Sequence, residues 1–186
     1  MKIIITIGIL FSFLIGHSQT SDARKSLDNN ECFVATTNSL SVTAAIGGTM
    51  HNILTISNPI GSGAKIFIDY FQFFVNGTNL LIPTASTIFV NPTLVTANIA
   101  PKFNLKIGST VTDNTTVFGY DLRTAALSGA ITSPYEIPQN SGDKFGGGKL
   151  EIMEGQSIGI DLSKSVGLGV AMSSGILMVY YHKIPN

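Results

Sequence analysis

Short runs of β-branched and aromatic residues alternate with polar residues along most of the chain, and Gly, Pro and Asn residues separate the runs. Such runs are typical of β-strands, because successive side chains of a strand point to opposite faces. We predict strands over residues 39–46, 51–57, 64–75, 78–82, 86–90, 93–99, 115–122, 149–153, 157–162 and 175–184. The helical period is weak, and its best window, 121–129, predicts at most one turn. About eight to ten short strands predict an all-β fold, a two-sheet antiparallel β-sandwich of jelly-roll type.

One predicted turn has a composition that also suggests a phosphate loop. Residues 58–65 run Asn-Pro-Ile-Gly-Ser-Gly-Ala-Lys. A Walker loop needs Gly directly before Lys and Ser or Thr directly after it, whereas Ala precedes and Ile follows Lys65. The stretch therefore predicts a hairpin turn in which Gly61 and Gly63 have positive φ, and it argues against nucleotide binding. The pair Asn-Gly at 76–77 predicts a second hairpin, of type I′.

The N-terminal residues predict export. Lys2 precedes a fourteen-residue apolar run, 3–16, which suits the apolar region of a signal peptide and is shorter than the about twenty residues that span a bilayer. We predict a signal peptide over residues 1–19 or, as the alternative, a short membrane anchor that stays attached. Residues 20–35 then predict a flexible lead-in, and residues 36–186 a single β-sandwich domain.

Charge and cysteine content narrow the classes of partner. Eleven Lys and Arg residues balance eleven Asp and Glu residues, and charged residues make up only 12% of the chain. Because no strong positive field would attract nucleic acid, we predict no nucleic-acid partner. A surface with few charges favours contact with other protein chains instead. Cys32 is the only cysteine and cannot form an intrachain disulfide, so we expect a small, partly buried thiol there.

The polar residues do not form a recognisable catalytic or metal-binding pattern. His51 and His182 lie at the ends of predicted strands, where solvated imidazoles are the expected role. We expect Asp69, in an aromatic strand, to pair with a Lys or to face an edge. Asp113 and Asp143 lack the spaced acidic pattern of a calcium loop, and Gly-x-Ser-x-Gly is absent. A Ser-His-Asp arrangement stays open, since its members come from any part of a chain. We predict a protein that is not an enzyme, with no cofactor, catalytic residue or metal ligand.

The longest predicted loop covers residues 132–148 and contains two Pro and four Gly residues. Loops of this length often carry function. Its candidate ligand-binding residues are Tyr135, Glu136 and Asp143, because a Tyr ring stacks on a sugar and carboxylates accept hydrogen bonds from hydroxyl groups. The alternative function is therefore a secreted carbohydrate-binding or other ligand-binding β-sandwich domain.

Two predicted strands are apolar on both faces, at residues 67–74 and 176–181. Only one face of a strand enters its own core, so the other face needs a loop, another subunit or a membrane as cover. We expect self-association to cover it. The candidate oligomer contacts are Phe67, Phe71, Phe73, Met178 and Tyr180.

Two stretches carry a family resemblance. One is LTISNPIGSGAKIFIDYFQF, and the other is GGGKLEIMEGQSIGIDLSKSVGLGVAMSSGILMVYY. Both resemble phage virion-associated jelly-roll proteins of the head-decoration and fibre type, and the similarity spans roughly residues 39–183. The resemblance implies a non-enzymatic structural or attachment module that forms a homo-oligomer, with a trimer as the expected number. Its further partners would be capsid proteins, surface proteins or glycans. Its location would be extracellular or surface-associated, or on the virion if a phage encodes the chain.

Overall fold

The computed structural model describes residues 29, 31–43, 47–74, 83–134, 136–146, 150–167, 169 and 171–186. Within them the chain is all-β and forms no helix, so none that could cross a membrane. The described strands are β1 Cys32–Thr36, β2 Ser41–Thr43, β3 Gly48–Ser57, β4 Ala64–Phe74, β5 Ala85–Val90, β6 Asn98–Ile99, β7 Lys102–Asn104, β8 Val117–Arg123, β9 Ala130–Pro134, β10 Asp143–Phe145, β11 Leu150–Ile152, β12 Ser157–Val166, β13 Ala171–Ser173 and β14 Ile176–Pro185.

Twelve of these strands form two antiparallel sheets. Sheet I has the order β10-β4-β14-β1-β7, with β11 also paired to β4, and sheet II has the order β6-β8-β3-β12-β5-β9. Strands β2 and β13 form a separate pair. The predicted all-β, two-sheet antiparallel sandwich is confirmed. The described strands outnumber the predicted ones because β1, β7, β9, β10 and β13 lie outside the predicted strands. Three of these five have only three residues, too short to leave a periodic pattern.

The predicted lead-in and the predicted loop both contain strands. Strand β1 lies inside sheet I between β14 and β7, with Phe33 and Ala35 in the core. The lead-in over residues 20–35 is therefore wrong for residues 32–35, while the predicted signal peptide lies outside the described residues. Within 132–148, β9 occupies the start and β10 pairs with β4, so this segment is not one continuous loop.

Most of the other predicted strands are confirmed, with ends shifted by a few residues. The stretch 93–99 is a strand only at Asn98–Ile99, because residues 92–96 form a loop. Residues 121–129 form no helical turn; they continue strand β8 and then leave it irregularly. The predicted strand at 78–82 and the hairpin at 76–77 lie outside the described residues.

The turn at 58–63 is not a hairpin, because it carries the chain from β3 in sheet II to β4 in sheet I. Gly61 and Gly63 do have positive φ, 85° and 69°. Asn58 is fully buried and holds the crossing: its side-chain Nδ2 donates to the carbonyl oxygens of Ala64 at 2.8 Å and Ile152 at 3.0 Å. These bonds join the start of β4 to the end of β11. The chain crosses between the sheets at both points, from β3 to β4 and from β11 to β12, so one side-chain amide connects the two crossings.

Alternation along β4 is interrupted once, and the interruption decides which aromatic residues enter the core. Tyr180 of β14 pairs with Tyr70, whereas Tyr181 pairs with Ile68, so Asp69 is the extra residue of a β-bulge. Before the bulge the even-numbered residues of β4 face the core, and after it the odd-numbered residues do. Phe71 and Phe73 therefore point into the core, with 0% and 1% of their surface exposed. Their predicted role as oligomer contacts is corrected, because neither side chain reaches the surface.

The outer face of sheet II is covered by two loops of the chain itself. Val95 and Leu127 from these loops pack on Ile53 and Phe89 in a second small core. Glycine makes the close approach possible, since a Cβ at Gly119 would lie 1.6 Å from the carbonyl oxygen of Val95. Sheet II thus has an apolar cluster on each of its faces, one between the sheets and one under its own loops.

Candidate functional site

The outer face of sheet I carries a continuous band of aromatic and apolar side chains. Cross-strand pairing places Tyr70, Tyr180, Val34 and Phe103 in one row across β4, β14, β1 and β7. Phe67 pairs with His182 in the neighbouring row, and Met178 pairs with Gln72 on the other side. We call this surface the aromatic band; its members are Phe67, Tyr70, Met178, Tyr180, His182, Val34 and Phe103.

The rings of the band pack on one another. The Tyr70 and Tyr180 rings stack with centroids 4.4 Å apart, and the ammonium group of Lys144 lies 4.4 Å from the centre of the Tyr70 ring. Partial burial, and then the negative charge of Asp69, raise the pKa of Tyr70, so this phenol stays neutral. At the edge of the band, Phe103 is 54% exposed. The band therefore presents Phe103 and four half-buried side chains to its surroundings, whereas Val34 and His182 within it are each only 8% exposed.

A histidine–aspartate pair lies within the band. His182 Nδ1 is 2.8 Å from Asp69 Oδ1, and the imidazole stacks on Phe67 with centroids 5.3 Å apart. The expectations of a solvated His182 and of a Lys partner for Asp69 are both wrong, because β-pairing brings the two residues together from distant parts of the chain.

Cys32, opposite His182, is buried. Burial, with the charges of Asp69 and Glu31, raises the pKa of the Cys32 thiol to about 11, which keeps it protonated and unreactive.

Three of the five predicted oligomer contacts belong to the band. Phe67, Met178 and Tyr180 are half-buried on the outer face. After the bulge, Tyr70, Gln72 and Phe74 are the half-buried residues of β4, whereas Phe71 and Phe73 are buried. The sequence shows the excess of apolar residues but gives no sign of where the bulge lies.

The predicted ligand-binding residues are engaged by their own loop. Glu136 Oε2 accepts a hydrogen bond from the Gly146 N–H at 2.8 Å. Asp143 Oδ2 accepts from the N–H groups of Gln139 at 2.8 Å and Asn140 at 2.7 Å. Both carboxylates lie in the segment 136–146 and close it, while Tyr135 lies outside the described residues.

A second histidine–aspartate pair lies on the outer side of sheet II. His51 Nδ1 is 2.8 Å from Asp161 Oδ1, and Asp161 Oδ2 accepts a hydrogen bond from the Leu127 N–H at 3.0 Å. His51 is therefore not the solvated imidazole that its position at a strand end suggests. The pair fastens the loop of Leu127 over the sheet, which is a structural role.

The most strongly perturbed carboxylate, Asp113, lies at the end of the sandwich where the chain crosses between sheets. Its side chain is fully buried and accepts hydrogen bonds from the Thr115 and Thr116 N–H groups, from Tyr181 Oη at 2.8 Å and from Lys183 Nζ at 3.1 Å. Burial alone would raise the pKa of Asp113, but the hydrogen bonds from Thr116 and Tyr181 and the charge of Lys183 outweigh it and hold that pKa far below its usual range. Burial, the Asp113 charge and their hydrogen bond raise the pKa of Tyr181 well above normal.

Sequence reasoning missed this network, although part of it was visible. In Asp-Asn-Thr-Thr, a side chain that caps the backbone two or three residues later is a common arrangement. The partners Tyr181 and Lys183 come from 68 and 70 residues away, so only the fold brings them to Asp113.

Beside the network is a cleft of about 340 Å³. Its lining includes Glu31, Phe33, Val111, Asp113, Lys183 and Pro185. We call it the end cleft. Within the described residues, no three His, Cys, Asp or Glu side chains lie close enough together to hold a metal ion. Comparison of the chain with family models, curated proteins and solved structures found no match.

Proposed function

We propose that this chain is a non-enzymatic structural or attachment module, a self-associating sandwich of jelly-roll type on a virion or cell surface. The aromatic band on sheet I is its association surface. The single observation that carries the proposal is the row Tyr70–Tyr180–Val34–Phe103, which crosses four strands on the outer face. The two antiparallel sheets are compatible with a jelly roll, and the resemblance to virion-associated proteins supports the same class.

The composition of the band favours a protein partner. Tyr, Phe and Met are enriched at the centres of protein interfaces, because they bury a large area with few rotatable bonds. The rings of Tyr70 and Tyr180 already hold each other, so little side-chain entropy remains to be lost on association. Since Tyr180 stacks on Tyr70 and Lys144 lies over the Tyr70 ring, this arrangement suits a flat protein contact better than a sugar ring.

The charges around the band allow a second copy to approach. Lys65 and Glu151 form an ion pair at 3.3 Å on the same sheet, and Asp69 is paired with His182. The whole chain has equal numbers of acidic and basic residues. Two copies therefore meet without net repulsion, and a low net charge promotes association.

Sedimentation of three proteins tests the proposal: the unaltered chain, Met178→Glu and Ile137→Glu. All three are expressed from the whole sequence, so that any N-terminal processing is the same. Met178 lies on the band, whereas Ile137 is 37% exposed and is not a member of the band. We expect the unaltered chain and Ile137→Glu to form the same oligomer at micromolar concentration, and Met178→Glu to be smaller.

Equal masses for all three proteins would overturn the choice of surface, and a monomeric unaltered chain would overturn self-association. The alternative function has its own readout. A glycan array that binds the unaltered chain, and binds Glu136→Gln weakly, would favour a carbohydrate-binding domain built on the segment 136–146.

A further inference from the structure

The loop between β7 and β8 is closed by its own hydrogen bonds and presents an isoleucine at its tip. Asn104 clamps the loop from within: its Oδ1 accepts from the Lys106 N–H at 2.9 Å, and its Nδ2 donates to the Val111 carbonyl oxygen at 3.3 Å. The Ser109 N–H donates to the Lys106 carbonyl oxygen at 3.0 Å and closes the turn. Ile107 at this turn is completely exposed. An aliphatic side chain at the tip of a turn fixed in this way is organised for contact before any partner arrives.

The far end of the same loop is fixed by the buried carboxylate of Asp113. Asp113 accepts hydrogen bonds from the N–H groups of Thr115 and Thr116, two and three residues later, and from the side chains of Tyr181 and Lys183 of β14. The loop is thus anchored to sheet I by a buried, fully hydrogen-bonded group.

The end cleft lies directly beside this loop. Val111, 45% exposed, belongs to the loop and also lines the cleft, together with Phe33 and Pro185. The neighbouring turn at 58–63 adds Ile60, which is 88% exposed. One end of the sandwich therefore carries both a protruding aliphatic side chain and a recess lined by apolar and polar residues.

We infer that this end of the molecule binds a second copy of the chain end to end, with Ile107 of each copy entering the end cleft of the other. A protrusion and a recess on the same end are what a two-fold contact requires, because each surface then meets its complement. The charges agree, since Lys106 neighbours the tip, and Glu31 lines the cleft beside the Asp113–Lys183 ion pair, whose charges cancel. This contact is distinct from the aromatic band and would join band-mediated oligomers in pairs.

Substitution of Ile107 tests the contact, with Ile137→Glu as the matched control, because Ile137 is an exposed aliphatic residue that does not line the end cleft. We expect Ile107→Glu to halve the mass of the assembly in sedimentation and to weaken the end contact at least tenfold, while Ile137→Glu leaves the mass unchanged. In Met178→Glu a dimer should remain, and Ile107→Glu combined with Met178→Glu should give a monomer. A mass that does not respond to Ile107→Glu in either background would overturn the inference and leave the band proposal intact.

Disulfide trapping provides a second readout that does not depend on loss of binding. Two single-cysteine chains, Ile107→Cys and Asn114→Cys, are mixed in a Cys32→Ser background; Asn114 lines the end cleft. We expect mild oxidation to give the covalent heterodimer in high yield. The same mixture with Ile137→Cys in place of Ile107→Cys should give little. Equal yields from both mixtures would contradict the contact.

Discussion

The buried carboxylate of Asp113 should be the residue whose charge matters most for stability. Asp113→Asn keeps the size and one acceptor oxygen but removes the charge that faces Lys183, whose side chain is only 13% exposed. Breaking a buried ion pair at one partner costs about 3–5 kcal/mol, because the other charge stays buried without compensation. A domain of this size is stable by about 5–15 kcal/mol, so the loss should be large but survivable.

Urea unfolding followed by circular dichroism measures this loss, since the chain has no Trp to report by fluorescence. Glu151→Gln is the matched control, because its pair with Lys65 is 41% and 37% exposed and should contribute less than about 1 kcal/mol. The double variant Asp113→Asn with Lys183→Met should recover part of the loss, since neither charge then remains buried alone. A loss below about 1 kcal/mol for Asp113→Asn would refute the reasoning.

The pH dependence follows from the same network. The pKa of Asp113 is lower in the folded chain than in the unfolded chain, so the unfolded state binds the proton more readily. The stabilisation is therefore complete above the unfolded pKa of about 3.9 and is lost as the pH falls below it. Between pH 5 and pH 2, as an order-of-magnitude range about that value, the unaltered chain should lose more stability than Asp113→Asn does. Parallel curves for the two proteins would contradict this assignment.

Three further substitutions test the packing. Gly119→Ala should lower the free energy of unfolding in urea by about 3 kcal/mol or more, because the new methyl group overlaps a backbone carbonyl. Gly48→Ala is the control: the space around Gly48 is open, so this change should alter the same free energy by less than about 0.5 kcal/mol. Gly63→Val should lower the free energy of unfolding by more than about 1 kcal/mol, because Gly63 has a positive φ. Lys65→Ala is the control and should lower it by less than about 0.5 kcal/mol. Equal shifts in the melting temperatures of these two variants would show that a side chain at position 63 causes no strain. Asn58→Ala should cost about 2–6 kcal/mol, since two buried carbonyl oxygens lose their donor; a urea midpoint near that of the unaltered chain would refute its role at the sheet crossing.

The sequence was sufficient for the fold class and for most long strands, because runs of β-branched and aromatic residues between turn residues are visible in the sequence of β3, β4, β12 and β14 alone. It was insufficient for β1, which pairs with β14 and β7 and has four of its five residues buried. It also suggested a hairpin at 58–63, since turn chemistry does not reveal whether the next strand joins the same sheet or the opposite one.

The association surface was predicted in part. The apolar excess in β4 and β14 pointed to the correct strands, but the bulge at Asp69 exchanged the faces of the residues that follow it. A bulge depends on how two strands pair, and a single strand's sequence does not contain that information. The pairing of Asp69 with His182 and of Asp113 with Tyr181 was hidden for the same reason, because these residues are far apart in the chain.

Oxidation of Met178 by dilute peroxide tests the central claim most directly. Met178 lies half-buried on the aromatic band, whereas Met50 is fully buried in the core and serves as the internal reference. The two rates are measured by mass spectrometry at low and high protein concentration, under conditions that oxidise at most one methionine per chain. If the band is the association surface, Met178 should oxidise several-fold more slowly in the concentrated sample, while Met50 stays slow in both. The same Met178 rate at both concentrations, in a sample whose mass shows association, would contradict the claim.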